Sequence, residues 1–260
     1  MERGNLMNET MIIEKEKVSL KDGILLTGLP GIGLIGQVVG RYIVKELKAK
    51  KVATLVSPHF PHQVFMTKKG GMRIIRNSFY VVKKGKVNLL ILVGDVQAMN
   101  SAGQYEVADK ILDYAKQSGV KTVMTIGGYS TGEVMDKRRI FAVSTSQKLK
   151  KKLSDHGVVF GEAKGSIVGA AGLLPVLGRF KKMSGACIMG ETHGGYVDAI
   201  SAREIVKFIS SYFKIKINLK KLDERAKESE KILKKMEEEI QKNMPEAGPG
   251  PAEINTSYIR

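Results

Sequence analysis

Ile24-Leu25-Leu26-Thr27-Gly28-Leu29-Pro30-Gly31-Ile32-Gly33-Leu34-Ile35-Gly36 changes its hydrophobic period half-way along. Ile24 to Leu29 is a short apolar run of strand length. From Gly31 to Val44 the apolar residues Ile35, Val38, Val39, Tyr42 and Ile43 recur at helical spacing. Val52 to Val56 is the next apolar run. Strand, helix and strand within about 35 residues is the size of a βαβ unit. The same order returns further on. Asn88-Leu89-Leu90-Ile91-Leu92-Val93-Gly94 reads as a strand buried on both faces. Ser101 with Gln104 has the spacing of a capping box. Val107, Ile111 and Ala115 then recur every four residues up to Ser118-Gly119, and Val123 to Ile126 opens another strand. Between the two units, Gln63 to Val82 reads as short antiparallel strands around Lys68-Lys69-Gly70-Gly71 and Arg76-Asn77-Ser78. Later, Ile140 to Val143 predicts a strand and Thr145 to Leu153 a basic helix. Pro175 is expected to kink or end any helix within Ile167 to Phe180. Ala186 to Met189 predicts a strand, and Asp198 to Tyr212 a helix. Residues 1–218 are therefore expected to form one α/β body, a mostly parallel sheet flanked by helices.

Beyond that body the composition changes. Leu222, Ala226, Ser229, Leu233, Met236 and Ile240 are spaced 4, 3, 4, 3, 4, a heptad seam imperfect at Ser229. Residues 219–244 thus predict an amphipathic helical stalk. Leu222, Leu233, Met236 and Ile240 form its apolar seam, which has to be covered by a sister stalk or by the body. Pro245 to Pro251 cannot be helical and reads as a linker. Residues 245–260 are expected to be this linker and a flexible tail ending in Tyr258, Ile259 and Arg260.

Charge and composition narrow the function. The chain has 43 Lys and Arg against 26 Asp and Glu, a net charge of +17. Nine basic and nine acidic residues cancel between 219 and 260, so the whole excess sits on residues 1–218. Such a body suits an acidic partner, or is the lysine-rich solvated surface of a thermophile. Nucleic acid is disfavoured, because tryptophan is absent and aromatics are 6%, too few for a base-stacking platform. One cysteine excludes a disulfide framework and a Cys-rich zinc site. The start carries no secretory pattern, and Ile167 to Gly178 is shorter than the ~20 residues of a membrane span. No membrane role and a cytoplasmic setting are expected.

Gly31, Gly33 and Gly36 match G-x-G-x-x-G after a strand and at a helix start, the dinucleotide fingerprint in its required context. The acid expected ~20 residues further on is missing, since Thr54 to His59 contains none. Glycines that let a helix pack close to the sheet explain the same pattern. Asp95 follows a buried strand, as does Glu191 near His193. Strand C-terminal ends are where ligands sit in open α/β sheets. Acid–base work would need these groups to meet, which no spacing requires. His59, His62, His156 and His193 show no metal-ligand spacing beyond His59-x-x-His62, which Pro61 interrupts, so no metal site is expected. Cys187 lies in an apolar run and reads as core. The alternative to a protein-binding role is a nucleotide- or nucleoside-binding enzyme using Gly31, Gly33, Gly36, Asp95 and Glu191.

Gly28 to Gly40, reading GLPGIGLIGQVVG, resembles the signature of the proteasome-assembly-chaperone family, archaeal branch. Ser57-Pro58-His59-Phe60-Pro61, Gly94-Asp95-Val96-Gln97, and Gly190-Glu191-Thr192-His193 with Asp198 are similar to the same family in the same order. The resemblance spans about residues 10–213. It implies a single α/β domain similar to nucleoside phosphorylases, no catalysis, no cofactor, and homo-oligomers. It also implies the 20S proteasome or its subunits as partner. Proteasome activators dock a C-terminal hydrophobic–tyrosine–any motif, whose carboxylate is captured by a lysine. Here Tyr258 supplies the hydrophobic residue, Ile259 stands where that motif has tyrosine, and Arg260 supplies the carboxylate.

Overall fold

The apolar runs near 24–28 and 88–94 become adjacent strands buried on two faces. The computed structural model describes residues 8–132 and 137–227. In chain order the elements are β1 (Met11–Glu14), β2 (Gly23–Gly28), α1 (Ile35–Glu46), β3 (Lys50–Val56), β4 (Val64–Met66), β5 (Met72–Ile74), β6 (Asn77–Lys84) and β7 (Val87–Gly94). They continue with α2 (Ser101–Gln117), β8 (Val120–Ser130), β9 (Ile140–Ser144), α3 (Gln147–Ser154), α4 (Ala170–Gly178), β10 (Ser184–Thr192) and α5 (Ala199–Tyr212).

Eight strands form one mixed sheet in the order β1-β3-β6-β7-β2-β8-β10-β9. It is parallel through its four central strands, β7-β2-β8-β10. The flanks are antiparallel: β1, β3 and β6 on one side, β9 on the other. β4 and β5 form a separate hairpin. Side chains of the central strands alternate between two cores. Leu89, Ile91 and Val93 enter one core, whereas Leu90 and Leu92 enter the other; Leu26 and Leu25 divide the same way. That is why these runs are apolar at every position. Val39 and Ile43 of α1, with Ile205 and Ile209 of α5, cover the first face. Ile111 and Leu112 of α2, with Leu174 of α4, cover the second. Each fully buried side chain of this size contributes about 1.5–3 kcal/mol. The expected α/β sheet flanked by helices is present.

Two local readings are corrected. The α2 cap is Asn100, whose side chain accepts from the Gly103 N–H at 2.7 Å, so Ser101 is already helical. Gln104 donates to the Ala98 carbonyl at 2.7 Å instead of closing a capping box. Pro175 does not end its helix, since α4 runs from Ala170 to Gly178 around it. Proline removes the N–H that would bond the carbonyl four residues back. That carbonyl, of Ala171, accepts from Thr125 Oγ1 at 2.6 Å.

Residues 220–227 begin the helix expected from 219. Leu222 is fully buried in the core under α1, and Ala226 is buried beside Ile200. The Tyr42 hydroxyl donates to the Asn218 carbonyl just before it. Two positions of the expected seam thus lie on the body. Leu233, Met236, Ile240, Tyr258, Ile259 and Arg260 lie outside the described residues.

Candidate functional site

After β2 the chain turns at Pro30, makes a 3-10 turn over Ile32–Leu34, and enters α1 at Ile35. The glycines here do different things. A Cβ on Gly28 would stand 2.6 Å from the Gly36 carbonyl oxygen and 2.7 Å from the Gly40 Cα. One on Gly36 would stand 2.5 Å from the Ile126 carbonyl oxygen. Gly28, Gly36 and Gly40 therefore let α1 lie against β2 and β8 closer than side chains allow. Gly33 has φ +61, and its carbonyl accepts from the Asp198 N–H at 3.0 Å. The entrance to α1 is thus tied to the segment before α5. Gly31 alone faces open space, with nothing within 4 Å of a Cβ placed there.

Gly31 opens onto a cleft of about 600 Å³ outside the C-terminal ends of β2 and β8. Its floor is the backbone of Gly31, Gly127 and Gly128, and its walls include Ile32, Ile167 and Met189. The segment 163–169 forms one side. Gln97 fixes that segment to the glycine loop, donating to the Pro30 carbonyl at 2.6 Å and accepting from the Ala170 N–H at 2.9 Å. Among the described residues, Tyr129, Lys164 and Cys187 are the only ionisable side chains lining the cleft. Burial pushes the Cys187 thiol up to about 11, so it stays protonated at neutral pH, as a core cysteine does.

The two sequence-derived carboxylates stand elsewhere, and apart. Asp95 follows β7 and Glu191 lies in β10, three strand positions away, or about 14 Å at 4.8 Å per strand. Glu191 is 1% exposed and engaged by Arg139. Nη2 of Arg139 donates to Oε1 at 2.8 Å, and its Nε and backbone N–H donate to Oε2 at 3.2 and 3.0 Å. Burial raises the Glu191 pKa, but the Arg139 bonds and charge outweigh it and hold the carboxyl below its usual range. Asp95 takes both terminal nitrogens of Arg73 and the Arg76 N–H. The five residues of the enzyme alternative are therefore not gathered at one point: Gly31 lines the cleft, Gly33 and Gly36 pack, and both carboxylates are held in ion pairs.

The remaining family-like segments brace the same end of the sheet. Asp198 is fully buried, caps α5 through the Ser201 N–H at 2.9 Å, and lies 3.5 Å from Arg138 Nε. The Ser201 hydroxyl donates to the Glu191 carbonyl. The His193 ring stacks on Tyr196, and its carbonyl accepts from Ser130 at 2.8 Å. His59 packs on Gly103 and pairs with Glu106 at 2.8 Å. Glu106 also accepts from the Thr10 N–H at 2.7 Å. The sequence reading missed Arg138, Arg139, Glu106 and Thr10, because nothing in one sequence pairs positions 47 to 96 residues apart. Among the described residues no group of three or more His, Cys, Asp or Glu could hold a metal ion. No helix among them is long and apolar enough to cross a membrane.

A sequence model of the PAC2 family matches residues 25–237. The chain belongs to the PAC2 family. An uncharacterised protein of Methanocaldococcus jannaschii is 33% identical over 94% of this chain and 95% of its own length. Among solved PAC2-like structures, Pyrococcus furiosus PbaB, described as an archaeal proteasome activator, is 37% identical with a TM-score of 0.83. That match covers 89% of this chain and 100% of PbaB. Pyrococcus furiosus PbaA, described as an archaeal homologue of proteasome-assembly chaperone, shares the fold at 23% identity and a TM-score of 0.74 over 90% of this chain and 94% of PbaA. Within this PAC2 fold the glycine loop, the Gln97 tie and the Asp198 cap form one braced end of the sheet.

Proposed function

We propose that this protein is a non-enzymatic proteasome assembly chaperone or adaptor that binds the 20S proteasome or its subunits. The observation that carries this reading is the 37% identity and 0.83 TM-score to PbaB across the whole of that chain. The site chemistry supports it: Glu191 and Asp95, the carboxylates best placed for catalysis in sequence, are each occupied by an arginine. The body acts as a homo-oligomer, with the seam Leu222, Leu233, Met236 and Ile240 joining copies or holding the stalk to the body. The tail contributes through Tyr258 and Ile259, with the Arg260 carboxylate available in a protein made to end there. Native mass spectrometry of the purified protein mixed with archaeal 20S particles tests this. A complex of 20S with a whole number of copies is expected; two unmixed species at every ratio would refute it.

A second reading, a small-molecule ligand in the glycine-floored cleft, is favoured by one observation, the open space in front of Gly31. Thermal stabilisation by NAD(P), ATP or a nucleoside would support it. Ligand at 100 times its Kd adds about 2.7 kcal/mol.

A further inference from the structure

A second, smaller depression lies beside α1, over β6 and β7. It holds about 360 Å³ and is lined by Arg41, Arg73, Arg76, Ser78, Tyr80 and Asp95, among others. Its charges do not balance. Asp95 is its one carboxylate, and Arg73 takes it with both terminal nitrogens, Nη2 at 3.2 Å from Oδ1. Arg41 reaches the same Oδ1 only at 3.5 Å, with its side chain 54% exposed. The Arg76 side chain makes no ion pair or hydrogen bond with any described residue, and neither does Lys51. Both are half-buried. Lys51 lies opposite Tyr80 across the β3–β6 pairing, on the same sheet face. Burial first, then the charges of Arg76, Lys15 and Arg73, push the Lys51 ammonium pKa down, with Asp95 opposing them. The Ser78 and Tyr80 hydroxyls also have no hydrogen-bond partner among the described residues.

We propose that this cleft binds a phosphoryl group, held by Arg41 and Arg76 with the hydroxyls of Ser78 and Tyr80, while Lys51 adds its charge from the neighbouring strand. Three guanidinium groups against one carboxylate leave two surplus positive charges in the lining, which one dianion matches and one carboxylate does not. Forked arginine donors and hydroxyls suit the oxygens of a phosphoryl group. The group is carried either by a small molecule or by a phosphorylated side chain of another protein, and the recognition chemistry is the same.

The test titrates the full chain with inorganic phosphate and with a phosphoserine peptide, reading 31P NMR and melting temperature. Sodium chloride and glutamate at matched ionic strength serve as controls. Phosphate is expected to give a saturable shift beyond either control; Arg76→Gln should weaken it about tenfold, the loss of one charge-assisted bond, and Lys51→Met should weaken it in the same direction by removing a nearby charge. Tighter binding of the peptide than of phosphate places the group on a protein; equal binding places it on a small molecule. A shift that chloride or glutamate reproduces would overturn the proposal. So would unchanged phosphate affinity in both variants with their native melting curves intact. If either substitution disturbs folding, Arg41→Gln, at a half-exposed position, takes its place with the same two outcomes.

Discussion

Gly36 and Gly31 belong to one motif but answer to opposite demands. An alanine at Gly36 gains about 1 kcal/mol of helix propensity. Its Cβ, however, would stand 2.5 Å from the Ile126 carbonyl oxygen, which is backbone and cannot turn aside. The clash wins, and Gly36→Ala should destabilise by about 1–3 kcal/mol in urea unfolding. Gly31 is extended, with φ −167, and opens onto the cleft. Gly31→Val should therefore change stability by no more than about 0.5 kcal/mol, while occupying the cleft mouth. Equal losses in the two variants would show that both glycines only pack. Glu106 gives a pH prediction. Hydrogen bonds from Thr10, then from His59, outweigh burial and lower its carboxyl from 4.5 to about 2. A folded value below the unfolded one means that the stabilisation is full above pH 4.5 and is lost as pH falls towards 2. The melting temperature should drop across that window, and Glu106→Gln should flatten the drop while lowering stability at neutral pH. Of this residue-level detail, the glycines were visible in sequence, and packing was one of their two readings. The pairs Arg139–Glu191 and His59–Glu106 were not, because ion pairs between distant segments leave no periodic trace.

At the scale of elements, β2 and β7 were legible because a strand buried on two faces has to be apolar at every position. α2 and α5 were legible through their spacing and end signals. β1, short and at the sheet edge, offered too few residues for a period to register. The cap of α2 was misplaced by one residue, since Asn100 and Ser101 are both good caps and only the bond to Gly103 separates them. α4 was expected to kink or end at Pro175 and instead runs on to Gly178, and a residue 50 positions earlier supplies a donor to the carbonyl that the proline leaves free. Thr125 Oγ1 bonds the Ala171 carbonyl that Pro175 leaves free, and Thr125 itself is fully buried. Thr125→Val keeps the shape and removes the donor. It should cost about 1–3 kcal/mol, with exchange protection lost first along 170–178. A variant as stable as the parent, with α4 equally protected, would mean that the proline is tolerated without this bond.

For the whole molecule, the proposed role asks the α/β body to hold onto another protein, with the seam and the last residues of the sequence as its expected contacts. Leu222 and Ala226 lie on the body, so the helical turns over 220–227 are an extension of the core. Leu233 and Ile240 carry the rest of the seam in sequence. Leu233→Asp with Ile240→Asp should reduce the mass seen by light scattering without changing the melting of the body. The same mass with unchanged protection over 219–242 would show that the seam is idle. Fold and family were readable because both rest on ordered local motifs, whereas partner choice depends on surfaces that one sequence does not order in space. Surface plasmon resonance on immobilised archaeal 20S particles tests the central claim most directly. The account predicts saturable binding by the intact chain. Deletion of residues 258–260 should weaken it about thirtyfold, the loss of one buried aromatic anchor worth about 2 kcal/mol. Ile259→Tyr in the intact chain should strengthen it or add peptidase activation. No binding by the intact chain at any concentration, to 20S particles that still hydrolyse a fluorogenic peptide, would contradict the account.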